Sequence, residues 1–403
     1  MMTFDDQQRT LVLAEVLSVV FSGAAGSSAS DERTASRSVH VIPQGGEPRW
    51  IVVGNPRKAL PVLESWNPWN PGSRLRWSAL KAAAGTGMLK RIPGVESATA
   101  KIDTSYWHDN LPQFPGDWTG VIHVGNRSQS RKAILFVIGK DGAIPFAAKV
   151  PLVGGAAEAI FNEAKLLDHL KRFAYLPKVL FRDWDRGVVV QSWLDGKPVS
   201  RGFVEPHLIL LGTLANEGVK ARVSDFRSEV AAELNEVDLP FDRSVLMRGL
   251  ELLDYDRALP GFVEHRDFAP WNLKWLRDGG LGLLDWEWAV SESLPWQDAC
   301  RMFYLDDFHF KGPGNVWERM TADPLLMRYR RQFEIPAEAL PALTMRYLLR
   351  VLPMDWLGGN HARAQHTFKQ IQFLIATRNK TVPASQEGDY RSRSLTGAGD
   401  WPA

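Results

Sequence analysis

Two segments carry side chains whose types and spacing suit phosphate chemistry: EHRDFAPWNLKW at 264–275 and GLGLLDWEWAV at 280–290. Asp267 and Asn272 stand five residues apart, and Asp285 follows thirteen residues later. A loop can present Asp267 to an acceptor hydroxyl while Asn272 faces a cation. A strand at GLGLL would deliver Asp285 to the same cation from the opposite side. Phosphoryl transfer uses this combination: a carboxylate that orients or deprotonates the acceptor, and oxygen ligands for a magnesium ion bridging phosphate oxygens. His265 is placed to brace the loop rather than to react, and Glu287 can add a direct or outer contact to the metal. Singly, each residue has an ordinary explanation, because Asp and Asn are common in turns and caps. The ordered set His265, Asp267, Asn272 and Asp285 outweighs those explanations.

Elements must position that set. Strands are expected at 118–125, 133–138 and 144–151, with Asp141–Gly142 marking a tight turn between the last two. The run 156–173 reads as a helix, with Ile160, Leu167 and Leu170 at helical spacing. Two more strands follow at 178–183 and 187–193, completing a small antiparallel sheet with one long helix. Beyond residue 206 the pattern is mostly helical: HLILLGTLANEGVK, FRSEVAAELNEV, SVLMRGLELLDYDRAL, then 296–305, 323–334, 339–353 and 362–378. Short strands are expected at 273–276 and 281–284. Ahead of this core, 8–22 reads as a helix and 23–37 as a polar loop. Strands are expected around 39–54 with a turn at Gly45–Gly46, and a helix from Ser73 to Leu89.

The ordered set resembles the catalytic core of protein-kinase-like phosphotransferases, in the aminoglycoside phosphotransferase and choline kinase branch. Members carry an H-x-D-x-x-x-x-N loop and a metal-binding Asp at a strand end, which read here as HRDFAPWN and LLDWE. The resemblance implies that Asp267 is the catalytic aspartate and that Asn272 and Asp285 hold magnesium. Arg266 matches the H-R-D of protein kinases. However, Trp286 and Glu287 follow Asp285 where protein kinases have Phe-Gly, and no A-P-E element follows. Both departures favour the small-molecule branch.

The same resemblance extends upstream and covers about residues 118–310. It implies that Lys149, on the third strand, pairs with nucleotide phosphates. Glu163 is the better match to the helix glutamate that orients this lysine, and Glu158 is the nearer alternative. The loop GNRSQSRK (125–132) occupies the phosphate-covering position with one glycine, so backbone N–H groups would act with Ser128 and Ser130. A plain surface hairpin is the competing reading. Gly154–Gly155 lies after the lysine strand and opens the helix. The lobe junction falls at 188–196, where Gln191, Ser192, Trp193 and Leu194 are candidates to meet adenine. Asp298 matches a residue that ties the catalytic loop together.

Composition sets the outer limits. The chain has 403 residues, with 48 Lys plus Arg against 46 Asp plus Glu, a net charge of +2. Nothing in that balance calls for a nucleic acid or an anionic membrane as partner. A single cysteine, Cys300, excludes an internal disulfide framework and a multi-cysteine zinc site. With neither a convincing leader nor a transmembrane run, the expected location is the cytoplasm. The unusual feature is aromatic: 16 Trp against 7 Tyr. Five of them, Trp271, Trp275, Trp286, Trp288 and Trp296, flank the chemistry, where they can line a pocket or support one.

The fold class implied is α+β: a protein-kinase-like bilobal fold with a small antiparallel-sheet lobe and a mostly helical lobe. The expected divisions are 1–100, an extension on or near the small lobe; 101–194, the nucleotide lobe; 195–380, the helical catalytic lobe; and 381–403, a mobile tail. The implied activity is ATP- and Mg2+-dependent phosphorylation of a small-molecule hydroxyl, on an amino-alcohol, a sugar or an aminoglycoside-like compound. A nucleotide-binding scaffold without turnover and a protein kinase are the alternatives. Glu292, Asp306 and Asp307 can serve a cationic substrate or lie on an ordinary surface. A protein partner for the extension has no support in the sequence.

Overall fold

Runs rich in Val and Ile, such as KAILFVI and VVVQS, favour extended backbone and build one eight-stranded antiparallel sheet. Its strands are β1 (Thr34–Gln44), β2 (Glu47–Val53), β3 (Glu96–Asp103), β4 (Thr119–Val124), β5 (Lys132–Ile138), β6 (Phe146–Pro151), β7 (Val179–Asp183) and β8 (Val188–Ser192). They lie in the order β3-β1-β2-β4-β5-β6-β8-β7. The computed structural model describes residues 4–21, 33–45, 47–68, 71–126, 128–199, 202–310 and 315–377. The tail from Thr381 lies outside them, as do residues 23–32 and Gly46. The β5–β6 turn forms as the Asp-Gly pair predicts: Gly142 takes φ 83°, and Asp141 Oδ1 accepts from Ala143 N at 3.0 Å.

Cross-strand register places one row of residues on a single face: Ile42, Trp50, His123, Ile134, Lys149 and Val189 stand directly opposite one another in turn. Direct cross-strand partners share a face, so this face carries Lys149. The opposite face packs Val39, Ile51, Ile122, Leu135 and Val150 with helix α1 (Phe4–Phe21) and with Trp107 of α4 (Ser105–Asn110). On the Lys149 face, α5 (Gly155–His169) seats Ile160 and Ala164 on Val189. Helices α2 (Leu60–Glu64) and α3 (Pro71–Thr86) cover the far part of that face. Their Val62, Leu63, Trp77 and Leu80 cluster with Trp50, Val52, Val121 and Ile138, and Phe136 packs against the cluster. The first hundred residues thus enlarge the sheet and roof part of its inner face.

The second half is helical around two three-stranded sheets. Strands β9 (Lys197–Pro198), β12 (Leu273–Trp275) and β13 (Leu281–Leu283) form one, and β10 (Ala215–Ala221), β11 (Leu259–Glu264) and β14 (Val290–Ser293) form the other. The helices are α6 (Glu205–Thr213), α7 (Arg227–Asn235), α8 (Arg243–Glu251), α9 (Gln297–Phe310), α10 (Val316–Ala322), α11 (Pro324–Gln332), α12 (Leu340–Leu357) and α13 (His361–Thr377). A core of Leu, Val, Phe and buried Trp286 and Trp296 joins them.

Several expectations about elements need correction. Helix α6 stops at Thr213, and ANEGVKA is strand β10, paired with β11. Asn216 and Gly218 are poor helix formers, and the edge of β11 supplies the backbone partners. The helix expected through 259 ends at Glu251, because Leu259 opens β11. Thr34–Arg37, read as loop, belongs to β1. Strand β3 is not among the expected strands: Ala98, Ala100 and Ile102 alternate with Thr99, Lys101 and Asp103, but two of the three are small alanines and seven of the eight positions are not buried.

Candidate active site

The loop between β11 and β12 carries His265, Asp267 and Asn272, and the turn after β13 carries Asp285. Two strained residues shape these turns, Arg266 at φ 66° and Asp285 at φ 65°. Left-handed backbone at a residue with a Cβ costs about 1–3 kcal/mol and persists only where the surroundings impose it. Asp298, in the first turn of α9, imposes it on Arg266. Its Oδ2 accepts from His265 N at 2.8 Å and its Oδ1 from Arg266 N at 3.0 Å. Burial, and then the neighbouring Glu264, push the Asp298 carboxyl up to about 7.

His265 is fully buried and joins the two loops. Its Nδ1 accepts from Asp267 N at 3.2 Å while Nε2–H donates to Leu284 O at 2.9 Å. Its ring stands edge-on to Trp286 at 4.7 Å, and burial lowers its pKa. A buried neutral imidazole held at both nitrogens is a brace. Beneath it lies an ionic anchor. Glu264 takes Arg350 at 2.8 Å, Arg346 at 3.3 Å and the Ser293 hydroxyl at 2.5 Å. Burial opposes this charge, but the arginines hold the Glu264 carboxyl down to about 2.

Asp267 is gripped from three sides. Asn272 Nδ2 donates to its Oδ2 at 2.8 Å and to its backbone oxygen at 2.9 Å. Trp271 Nε1 lies 3.4 Å from the same Oδ2. Arg301 of α9 meets Oδ1 through Nη2 at 2.7 Å and Nε at 3.2 Å. The Asn272 amide nitrogen is thereby committed to Asp267, and its oxygen is the atom that a cation would take.

Lys149 links the lobes. Its ammonium is 2.6 Å from Glu163 Oε2 and 2.7 Å from Asp285 Oδ1. Glu163 Oε1 also accepts from Trp286 N at 3.2 Å, while Glu158 is exposed on the first turn of α5. Burial opposes the charge on Lys149, but Asp285 and Glu163 raise its pKa well above the ordinary value. Desolvation likewise opposes charge on Asp285, yet Lys132 and Lys149 hold it far below the usual carboxylate range. Lys132, the first residue of β5, donates to Asp285 Oδ1 at 2.8 Å and to Glu287 Oε2. Glu287 is pushed upward by burial and by Asp285, and Asn162 of α5 steadies its backbone oxygen at 2.9 Å.

The remaining candidates separate by environment. Ser128 is exposed in the β4–β5 loop, with its Oγ 3.4 Å from that of Ser130. The loop folds onto the start of α5, where a Cβ on Gly155 would come within 2.7 Å of Gln129 O. That approach requires glycine. At the lobe junction, Gln191 stands opposite Ala147 and is buried, with Nε2 lacking a partner among the described residues. Ser192 is committed to its own sheet, its Oγ accepting from Lys178 N at 2.9 Å. Trp193 meets Phe136 edge-on at 5.5 Å, and Leu194 packs on Gly282. Among the tryptophans near the loops, Trp286 and Trp296 are interior supports, whereas Trp288 is exposed. Asp307 is not a surface group: it is buried against Arg319 and His366.

Sequence reasoning missed Lys132, Arg301 and Lys274. Lys274 of β12 is buried, and its ammonium reaches Ser65 O, beyond α2. Burial lowers its pKa to about 8. No local pattern marks these cations, because each finds its partner far along the chain.

The residues present fit both groups that the chemistry implies. A buried amide donor at Gln191, without a partner among the described residues, suits a nucleobase acceptor. For a divalent cation, Asp285 and Glu287 already converge on one positive charge, that of Lys132. Among the described residues no cluster of three His, Cys, Asp or Glu forms a ready-made metal cage. Two carboxylates, an amide and phosphate oxygens are the ligand types expected for magnesium.

No protein-family model matches this chain, and no curated protein matches it. Solved structures do. Choline kinase LicA from Streptococcus pneumoniae is 14% identical, covering 63% of this chain and 92% of its own, at a TM-score of 0.42. A thermostable mutant of aminoglycoside phosphotransferase APH(4)-Ia, with AMP-PNP and hygromycin B, is 13% identical and covers 64% and 95%, at 0.44. Macrolide 2'-phosphotransferase type I is 16% identical and covers 62% and 90%, at 0.42. At these values the bilobal α+β architecture rests on the chain's own topology: an antiparallel sheet with α5, α2 and α3 on its lysine face, followed by a helical lobe. No helix among the described residues is long and apolar enough to cross a membrane.

Proposed function

We propose that the protein is an ATP-dependent phosphotransferase acting on a hydroxyl of a small molecule. The observation that carries this reading is the convergence of Lys149, Glu163 and Asp285 across the two lobes, beside a braced Asp267–Asn272 pair. Lys149 would align the nucleotide phosphates, with Glu163 fixing its direction. Gln191 would offer its amide to the base. Asn272 and Asp285 would hold magnesium, which when bound neutralises charge on the phosphate oxygens.

Asp267 orients the acceptor. Its hydroxyl oxygen attacks the γ-phosphorus, the bond from that phosphorus to the bridging oxygen breaks, and ADP leaves with the bonding pair. The hydroxyl proton passes to Asp267. Arg301 and Asn272 keep the carboxylate from rotating away from that line. The acceptor class is an amino-alcohol, a sugar or an aminoglycoside-like compound. Asp307 is excluded from cation recognition by its pairing with Arg319; exposed Glu292 and the indole of Trp288 are groups that would meet a cation.

A second reading, a nucleotide-binding scaffold without turnover, has one observation in its favour. Side chains of α2 and α3 cluster with Val121 and Ile138 on the sheet face that carries Lys149. Phosphate transfer from ATP to a hydroxyl-metabolite panel tests the two. Wild type should turn over, and Asp267→Ala and Asp285→Ala should not. Activity indifferent to both substitutions overturns the assignment; tight nucleotide binding without product favours the scaffold.

A further inference from the structure

The least expected group in the site is Lys132. It opens β5 at the end of the β4–β5 loop, on the face that carries Ile134 and Lys149. Its side chain is about 10% exposed, as is that of Glu287. Its ammonium lies between two carboxylates from the other lobe, Asp285 and Glu287. Lys149 contacts the same Asp285 oxygen. Two ammonium groups therefore face three carboxylates, Glu163, Asp285 and Glu287.

Lys149 satisfies Glu163 and shares Asp285. Without Lys132, Glu287 would be a buried carboxylate beside Asp285 with no cation of its own, a costly arrangement. The loop preceding Lys132 has one glycine, Gly125, so close backbone approach to phosphate is limited there. A long lysine stem with a mobile point charge can supply what that backbone does not.

Resting on the phosphotransferase reading, we propose that Lys132 is the resident counter-cation of the Asp285–Glu287 pair. In the nucleotide-free protein its ammonium holds the position that a divalent cation takes, and it turns to the phosphate chain when nucleotide enters. Lys132 is thus a second phosphate-side lysine, kept in the site by the carboxylates that it later releases. Vacating the position without supplying phosphate leaves two converging carboxylates, which attract divalent metal.

The test is Mn2+ titration of the full-length nucleotide-free protein, read as loss of the free-ion paramagnetic resonance signal. Lys132→Met should bind Mn2+ about tenfold or more tightly than wild type, from removal of a unit charge a few ångströms away. Lys132→Arg, which keeps the charge, should bind as weakly as wild type. Adding Glu287→Gln to Lys132→Met should erase the gain. Calorimetry at fixed Mn2+ should show about tenfold weaker ATP binding by Lys132→Met. Circular dichroism establishes that each variant is folded, and Lys132→Gln replaces Lys132→Met if the latter is not. A folded, charge-removed variant that binds Mn2+ no tighter than wild type overturns the counter-cation assignment. Unchanged ATP affinity overturns the phosphate role. Failure of wild type to bind any nucleotide overturns the phosphotransferase reading instead, and the nucleotide-free titration still decides the counter-cation.

Discussion

Arg301 holds Asp267 by a single carboxylate oxygen, with Nη2 at 2.7 Å and Nε at 3.2 Å. Both donors of the guanidinium edge converge on Oδ1, while Oδ2 is left to Asn272 and Trp271. The positive charge beside the aspartate comes from α9, because Arg266 of its own loop faces Glu229 and Glu264 instead. Arg301→Met should lower kcat by about ten- to a hundredfold through misorientation of Asp267, with KM for ATP little changed. Arg301→Lys should fall between, because a lysine cannot reproduce the planar fork. Steady-state kinetics of the three proteins checks this.

The Lys149–Glu163 pair separates stability from activity. Lys149→Met leaves Glu163 buried without its cation and should cost about 3–5 kcal/mol of stability. The double change Lys149→Met with Glu163→Leu should recover most of that loss, since a well-packed apolar pair replaces a buried ionic one. On the phosphotransferase reading, phosphate transfer should be abolished in both. Denaturant unfolding beside a turnover assay distinguishes the outcomes.

Glu264 makes acid sensitivity predictable. Its folded pKa, about 2, lies below the ordinary value of 4.5. The stabilisation from its arginines is therefore complete above about 4.5 and is lost as pH falls toward 2. Glu264→Gln should flatten that acid limb. It should also destabilise the protein at neutral pH, by about 3–5 kcal/mol, because Arg346 and Arg350 lose their shared anion. Melting temperature against pH for both proteins reads the two effects.

Lys274 has the opposite signature at alkaline pH. Burial lowers its pKa from 10.5 to about 8, so the unfolded chain binds the extra proton between those values. Wild-type stability should therefore rise as pH increases from about 8 to 10.5. Lys274→Met should lack that rise and be more stable than wild type at pH 7, by up to about 3 kcal/mol. Loss of the bond to Ser65 O sets the amount by which the gain falls short.

Parts of this architecture are legible in the chain and parts are not, for physical reasons. Strands β4, β5 and β8 announce themselves through β-branched runs. The HRDFAPWN loop is readable because its residues are neighbours. Strand β3 alternates small Ala98 and Ala100 with polar residues and buries only Ile102, so its pairing with β1 leaves a faint hydrophobic trace. Lys132 and Arg301 lie 153 and 34 residues from their respective partners, Asp285 and Asp267. A lone cation in a polar stretch has many possible partners, and only the fold selects one. Asp307, open to a surface reading in sequence, is buried because α10 brings Arg319 to it.

The unbroken ladder from β3 through β7 constrains how this chain can be divided. Strand β2 hydrogen-bonds β4 along Trp50–Val53, opposite Gly120–His123. Removing the first hundred residues would uncover β4 as an open edge and bare Val121 and Ile122, both fully buried in the intact protein. Such an edge invites pairing with another copy. A fragment beginning near residue 100 should therefore precipitate or self-associate, and the extension is inseparable from the rest of the chain in any practical preparation.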